Sequence, residues 1–139
     1  VDESLKTIAI PLFEDRTQSG QPAMGETLTD LMTKRFVRQT RLRLVQDEYE
    51  ADVVLRGYIS QYGTQPAAVS SNEVATQNRV SIEVFAEYYN NKTQKTTFNR
   101  SFVQSLNFDA TRLGEENTAA RTVLSRISED VFTAATSDW

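Results

Sequence analysis

The stretch from Arg79 to Tyr89 constrains this chain more than any other. Val80, Ile82, Val84, Ala86 and Tyr88 alternate there with Ser81, Glu83, Phe85, Glu87 and Tyr89. A strict period of two places one set on an apolar face and the other on a wet face, which predicts a half-buried antiparallel strand. Such a strand needs neighbours on both edges and a layer over its apolar side. The rest of the chain supplies both. Ala51 to Tyr62 reads as a strand with Val53, Leu55, Gly57 and Ile59 on one face, and Val54, Arg56, Tyr58, Ser60 and Tyr62 on the other. Asn90 to Gln94 reads as a turn, and Thr96 to Gln104 as the returning strand, with Phe98 and Phe102 on one face and Arg100 between them.

Upstream, Thr7 to Phe13 is a short apolar run that predicts a buried strand ending or reaching a sheet edge at Pro11. Glu14 to Thr17 reads as a charged, solvated turn. From Ala23 to Thr40, Met24, Leu28, Leu31, Met32 and Phe36 form one helical stripe, with Pro22 in the first turn. Leu42 to Val45 alternates like a short extra strand, and Gly57 predicts a bulge or a helix passing close over the sheet. Gly63 to Asn78 reads as a long polar link, and Leu106 to Gly114 as irregular. A last helix from Glu115 carries Ala119, Ala120, Val123, Leu124, Ile127 and Val131, with Phe132 and Trp139 continuing the apolar end. The expected fold is therefore α+β. It is one domain over residues 1–139 in the order β-α-(β)-β-β-β-α, a mostly antiparallel four-stranded sheet with two helices on one face.

Composition removes whole classes of chemistry. The 139 residues include no Cys and no His, which excludes thiol chemistry, disulfides and the usual zinc ligands, and takes away the commonest general base near neutral pH. Net charge is −4, from 15 basic and 19 acidic residues, so nothing draws the chain as a whole toward nucleic acid. Lys34, Arg35, Arg38, Arg41 and Arg43 cluster where the first helix ends, which suits the negative end of its dipole, with a phosphate or acidic-headgroup contact as the alternative. No run approaches the ~20 apolar residues of a membrane span. The opening Val1-Asp2-Glu3, without Met, is expected to follow an upstream targeting signal and lipid-bearing Cys.

Catalysis is poorly supported. Glu14 and Asp15 form an acid pair without a nucleophile or phosphate cradle beside them, and Glu83 and Glu87 are spaced as surface residues of a strand. The sequence points to no catalytic residue, metal or cofactor. If the helices cover the apolar face, Tyr58, Tyr62, Phe85 and Tyr89 stand on the opposite face among Arg56, Glu83 and Glu87. Aromatics among charges suit an interface, because they offer contact area at low entropic cost, and they equally suit an ordinary wet sheet face covered by long side chains.

Several segments resemble the lipopolysaccharide-assembly outer-membrane lipoprotein family, LptE. They are Lys6 to Thr17, Ala51 to Ile59, the alternating strand from Arg79, Arg100-Ser101-Phe102, and the final helix ending at Ser137-Asp138-Trp139. The resemblance implies an anchor lipid on an upstream Cys and a place on the periplasmic side of the outer membrane. It implies a large lipopolysaccharide-transport β-barrel (LptD-like) as partner, with this chain as its plug and assembly subunit, and lipopolysaccharide as a ligand. Tyr58, Tyr62, Phe85 and Tyr89, with the cations Arg79, Lys92, Lys95 and Arg100, are the expected contact residues. A free-standing envelope adaptor that binds another protein or a polymer is the alternative.

Overall fold

A computed structural model describes residues 4–67 and 77–137. The strands are β1 (Thr7–Ala9), β2 (Glu14–Asp15), β3 (Arg43–Leu44), β4 (Val53–Pro66), β5 (Gln77–Asn90) and β6 (Lys95–Asp109), and the helices are α1 (Met24–Gln39) and α2 (Glu115–Thr136). The strands form one sheet in the order β3-β1-β4-β5-β6, with β2 also paired to β4. Both helices pack on one face and share a core with β4, β5 and β6. The α+β class expected from the sequence is the class observed.

The sheet is mixed, and this corrects the expected four-stranded, mostly antiparallel arrangement. Pairs β1–β3, β1–β4 and β2–β4 are parallel, whereas β4–β5 and β5–β6 are antiparallel. The cause is α1, which carries the chain back along the sheet, so the next strand must run parallel to β1. Arg43 N–H donates to the Lys6 carbonyl and Val45 N–H to that of Ile8, each at 2.9 Å. Pro11, with no N–H to give, falls in the gap after β1. The chain rejoins β4 beyond it as β2, where Arg16 N–H donates to the Ile59 carbonyl at 3.1 Å. Glu14 to Thr17 is thus partly a strand and not merely a solvated turn.

β4 and β5 outrun their apolar pattern. Gly63 to Pro66 pair with Asn78 to Ser81, so both ends of the expected link are sheet, and its centre lies outside the described residues, as does Trp139. Leu106 and Phe108, expected to be irregular, extend β6 opposite Val80 and Asn78. Polar side chains on both faces hide such pairing from any hydrophobic period.

In α1, Met24, Leu28, Met32 and Phe36 are buried, and Leu31 packs beside them. Phe36 meets Tyr88 with ring centroids 6.1 Å apart and the edge of Phe132 at 5.0 Å, joining both helices to β5. α2 buries Ala119, Ala120, Val123, Leu124, Ile127, Val131 and Ala135. Arg35 crosses from α1 to α2, where its Nε donates to Ser128 Oγ at 3.0 Å, and Lys34 pairs with Asp30 at 2.9 Å. Those two members of the basic cluster therefore serve the helices.

Phe13, fully buried, occupies the junction of β2, β4 and α1. An ideal Cβ at Gly25 would lie 2.3 Å from the Phe13 carbonyl oxygen, and one at Gly57 would lie 2.8 Å from its ring. The close approach expected at Gly57 is real, but a phenylalanine from the first loop makes it and no helix does.

Candidate functional site

The sheet face away from the helices carries a connected group of aromatic and charged side chains. Arg56 and Tyr58 come from β4, Phe85, Glu87 and Tyr89 from β5, and Arg16 from the end of β2. The antiparallel register sets Tyr58 opposite Phe85 and Arg56 opposite Glu87. The Tyr58 and Phe85 rings lie 5.4 Å apart, and the Arg16 guanidinium stacks 3.8 Å above the Tyr58 centroid. Arg56 lies 6.0 Å from the Tyr89 ring centre. Around Arg16, Arg56, Gly57, Tyr58, Phe85 and Glu87 the surface forms an open concavity of about 280 Å³.

Charge is nearly balanced within this group. Arg16 Nε lies 3.1 Å from Glu14 Oε1, Arg56 Nε lies 3.1 Å from Glu87 Oε1, and Arg56 Nη1 lies 3.5 Å from Glu48 Oε1. The Arg56–Glu87 contact is close without being an aligned hydrogen bond. Partly exposed pairs of this kind contribute about 1 kcal/mol or less to stability. They keep Arg16 over the Tyr58 ring and Arg56 near that of Tyr89, and can be exchanged for contacts to a partner. No nucleophile stands beside a base here, and the described residues contain no cluster of carboxylates able to hold a metal. The chemistry on offer is non-covalent: stacking area, donor forks and carboxylate acceptors.

The residues singled out from the sequence separate into five places. Tyr58, Phe85 and Tyr89 lie together on this open face, as expected. Tyr62 does not, and this is a correction. A bulge between Ile59 and Gln61 inserts Ser60 without a partner, so Ile59 and Tyr62 both face the helices. The Tyr62 hydroxyl donates to Glu116 Oε2 at 2.5 Å, and Gln21 Nε2 donates to the same oxygen at 3.0 Å. Burial first, then that carboxylate, pushes the Tyr62 hydroxyl well above the usual tyrosine range.

Lys92 and Lys95 flank the β5–β6 turn. The Lys92 ammonium reaches the Ser4 carbonyl and lies 4.0 Å from Asp52 Oδ2, which also accepts Lys6 N–H at 2.7 Å. Lys95 is exposed opposite Asn90. Arg79, grouped with these lysines among the expected contact residues, stands at the other end of β5, where its Nε donates to Asn107 Oδ1 at 3.0 Å. A strand of that length separates the two ends by roughly 40 Å, so the cations do not form one cluster. Arg100 lies on the helix side, 4.7 Å from the Phe102 ring centre. It lines a groove beside α2 with Phe102, Asp130 and Thr133.

Sequence reasoning missed Arg16 and Glu48. Arg16 reaches Tyr58 only because β2 pairs with β4, and Glu48 meets Arg56 from the loop before β4. No local pattern announces either contact.

A family model described as LptE, lipopolysaccharide-assembly, matches residues 5–135. Among curated proteins no match is found. Among solved structures, a Xanthomonas campestris protein superposes with a TM-score of 0.69 at 14% identity, covering 96% of this chain and 86% of that one. A minor lipoprotein of Acinetobacter baumannii gives 0.62 at 16% identity, covering 96% and 93%. Lipoprotein B of Nitrosomonas europaea gives 0.60 at 13%, covering 96% and 85%. At these identities the structural likenesses show the fold alone.

Proposed function

Since the chain belongs to the lipopolysaccharide-assembly family LptE, a family of non-enzymatic outer-membrane-associated lipoproteins, we propose that it is the plug and assembly subunit of the lipopolysaccharide-transport β-barrel. In this reading an upstream lipid anchors it on the periplasmic side of the outer membrane, and its open sheet face meets the inner wall of the barrel. One observation carries the proposal: Arg16 lies over Tyr58, and Phe85 stands beside that ring, on a sheet face that neither helix covers. A barrel interior is lined by polar and charged side chains. Flat rings with guanidinium forks suit such a wall, because they add apolar area without leaving donors unpaired. Lys92 and Lys95 are proposed to contact lipopolysaccharide phosphates at the β5–β6 turn, with Arg79 and Arg100 at separate positions along the ligand or the barrel.

The test is recovery of the full-length tagged protein from detergent-solubilised outer membranes, with mass identification of its partners. A large β-barrel at equal stoichiometry supports the proposal. A Tyr58→Ala, Tyr89→Ala double variant should keep its fold and lose most of that barrel. Recovery with a soluble protein or a polymer, and no barrel, would replace the plug by the free-standing adaptor.

A further inference from the structure

β6 is an edge strand of 15 residues, and among the described residues nothing pairs with its outer side. Long regular edges are templates for another strand, and proteins usually blunt them with proline, charges or short length. β6 has no proline, and between Phe98 and Leu106 its sole charge is Arg100. A register irregularity disturbs it only near its start, opposite Tyr88 and Tyr89. Val103, 56% exposed, and the exposed Ser101 present side chains on the open face.

The strand is complementary to itself. If two copies meet antiparallel with Phe102 opposite Phe102, then Phe98 faces Leu106, Arg100 faces Gln104, Asn99 faces Ser105, and Ser101 faces Val103. Between Phe98 and Leu106 every apolar residue on the helix side then meets an apolar residue, and no like charges stand opposite one another. Cross-strand pairs of this kind are the units that stabilise a sheet. A register centred on Arg100 would instead oppose two guanidinium groups. From this self-complementarity we propose that, in the absence of another partner, β6 pairs with β6 of a second copy about a two-fold axis at Phe102. The two sheets then run on as one, and both copies of α2 lie on the same side of it.

Two exposed positions test the register without touching the core. The S101E/V103E variant places like charges opposite each other at two symmetry-related positions, whereas S101K/V103E places opposite charges there. Sedimentation velocity across a concentration series should show a reversible dimer for the wild-type chain. The S101E/V103E variant should dissociate at about tenfold higher concentration, and S101K/V103E should dimerise at least as well as wild type, all three with the same circular dichroism spectrum. A wild-type chain that stays monomeric at millimolar concentration would overturn the proposal. So would dimerisation of S101E/V103E at wild-type strength, or failure of S101K/V103E to dimerise.

Discussion

The ring of Phe13 stands where a side chain at position 57 would begin. An ideal Cβ on Gly57 would lie 2.8 Å from Phe13 Cε2 and 2.0 Å from the Phe85 carbonyl oxygen. Phe13 in turn presses its own carbonyl against Gly25. The chain leaving β1 is thus held between two glycines, one in the sheet and one in the helix.

Gly57→Ala should therefore destabilise the fold by about 3 kcal/mol, the upper end of what overpacking costs. The rigid β5 backbone cannot yield as a flexible side chain would. Urea unfolding of the two proteins measures the difference, and a change below about 0.5 kcal/mol would show that the crossing is loose.

Thr29 ties the same crossing to α1. Its hydroxyl accepts Phe13 N–H at 2.8 Å and donates to the Gly25 carbonyl at 2.8 Å. Thr29→Val keeps the volume and leaves the Phe13 N–H without its acceptor, at an expected cost of about 1–3 kcal/mol. Thr29→Ser, which retains the hydroxyl, should recover most of that stability in the same unfolding assay.

Tyr88 offers the opposite sign. Its ring is buried against Phe36 and Phe98, and its hydroxyl has no hydrogen-bond partner among the described residues. Tyr88→Phe removes a buried polar atom and should leave stability unchanged or raise it by about 1 kcal/mol. A marked loss would reveal a partner for the hydroxyl.

Alkaline pH should unfold the protein through its tyrosines. Burial raises the Tyr88 hydroxyl, and burial with Glu116 raises Tyr62, above the value of about 10 that an unfolded tyrosine has. Above that pH the unfolded chain releases protons that the folded chain still holds, so stability falls as pH rises. Below it, this contribution is fully present. Chemical unfolding at pH 9, 10 and 11 should show the decline, and a Tyr62→Phe, Tyr88→Phe double variant should flatten it.

On the open face, binding and stability should part company. Arg16→Ala removes a stacked guanidinium at a partly exposed site, which costs about 0.5–1 kcal/mol. If the face meets the barrel, the same change should weaken recovery of the barrel far more than it lowers the melting temperature. Equal recovery with Arg16→Ala and wild type would move the contact elsewhere.

The sequence by itself determined the α+β class, the stripes of α1 and α2, and the two faces of β5. In each case a hydrophobic period repeats over many residues, and burial on one side is enough to enforce it. Val80 to Tyr88 and Met24 to Phe36 are legible for that reason, and so are Tyr58, Phe85 and Tyr89 as neighbours on a wet face. The tertiary structure alone decided the parallel pairing of β1, β2 and β3, the length of β4 and β6, and the composition of the candidate site. Those features rest on hydrogen bonds between distant backbone segments, and these leave no period in the side chains. One extra residue at Ser60 turned Tyr62 from the open face to Glu116, and the pairing of β2 with β4 carried Arg16 onto Tyr58. A bulge and a strand pairing are properties of two segments meeting, so neither could be read from one segment alone.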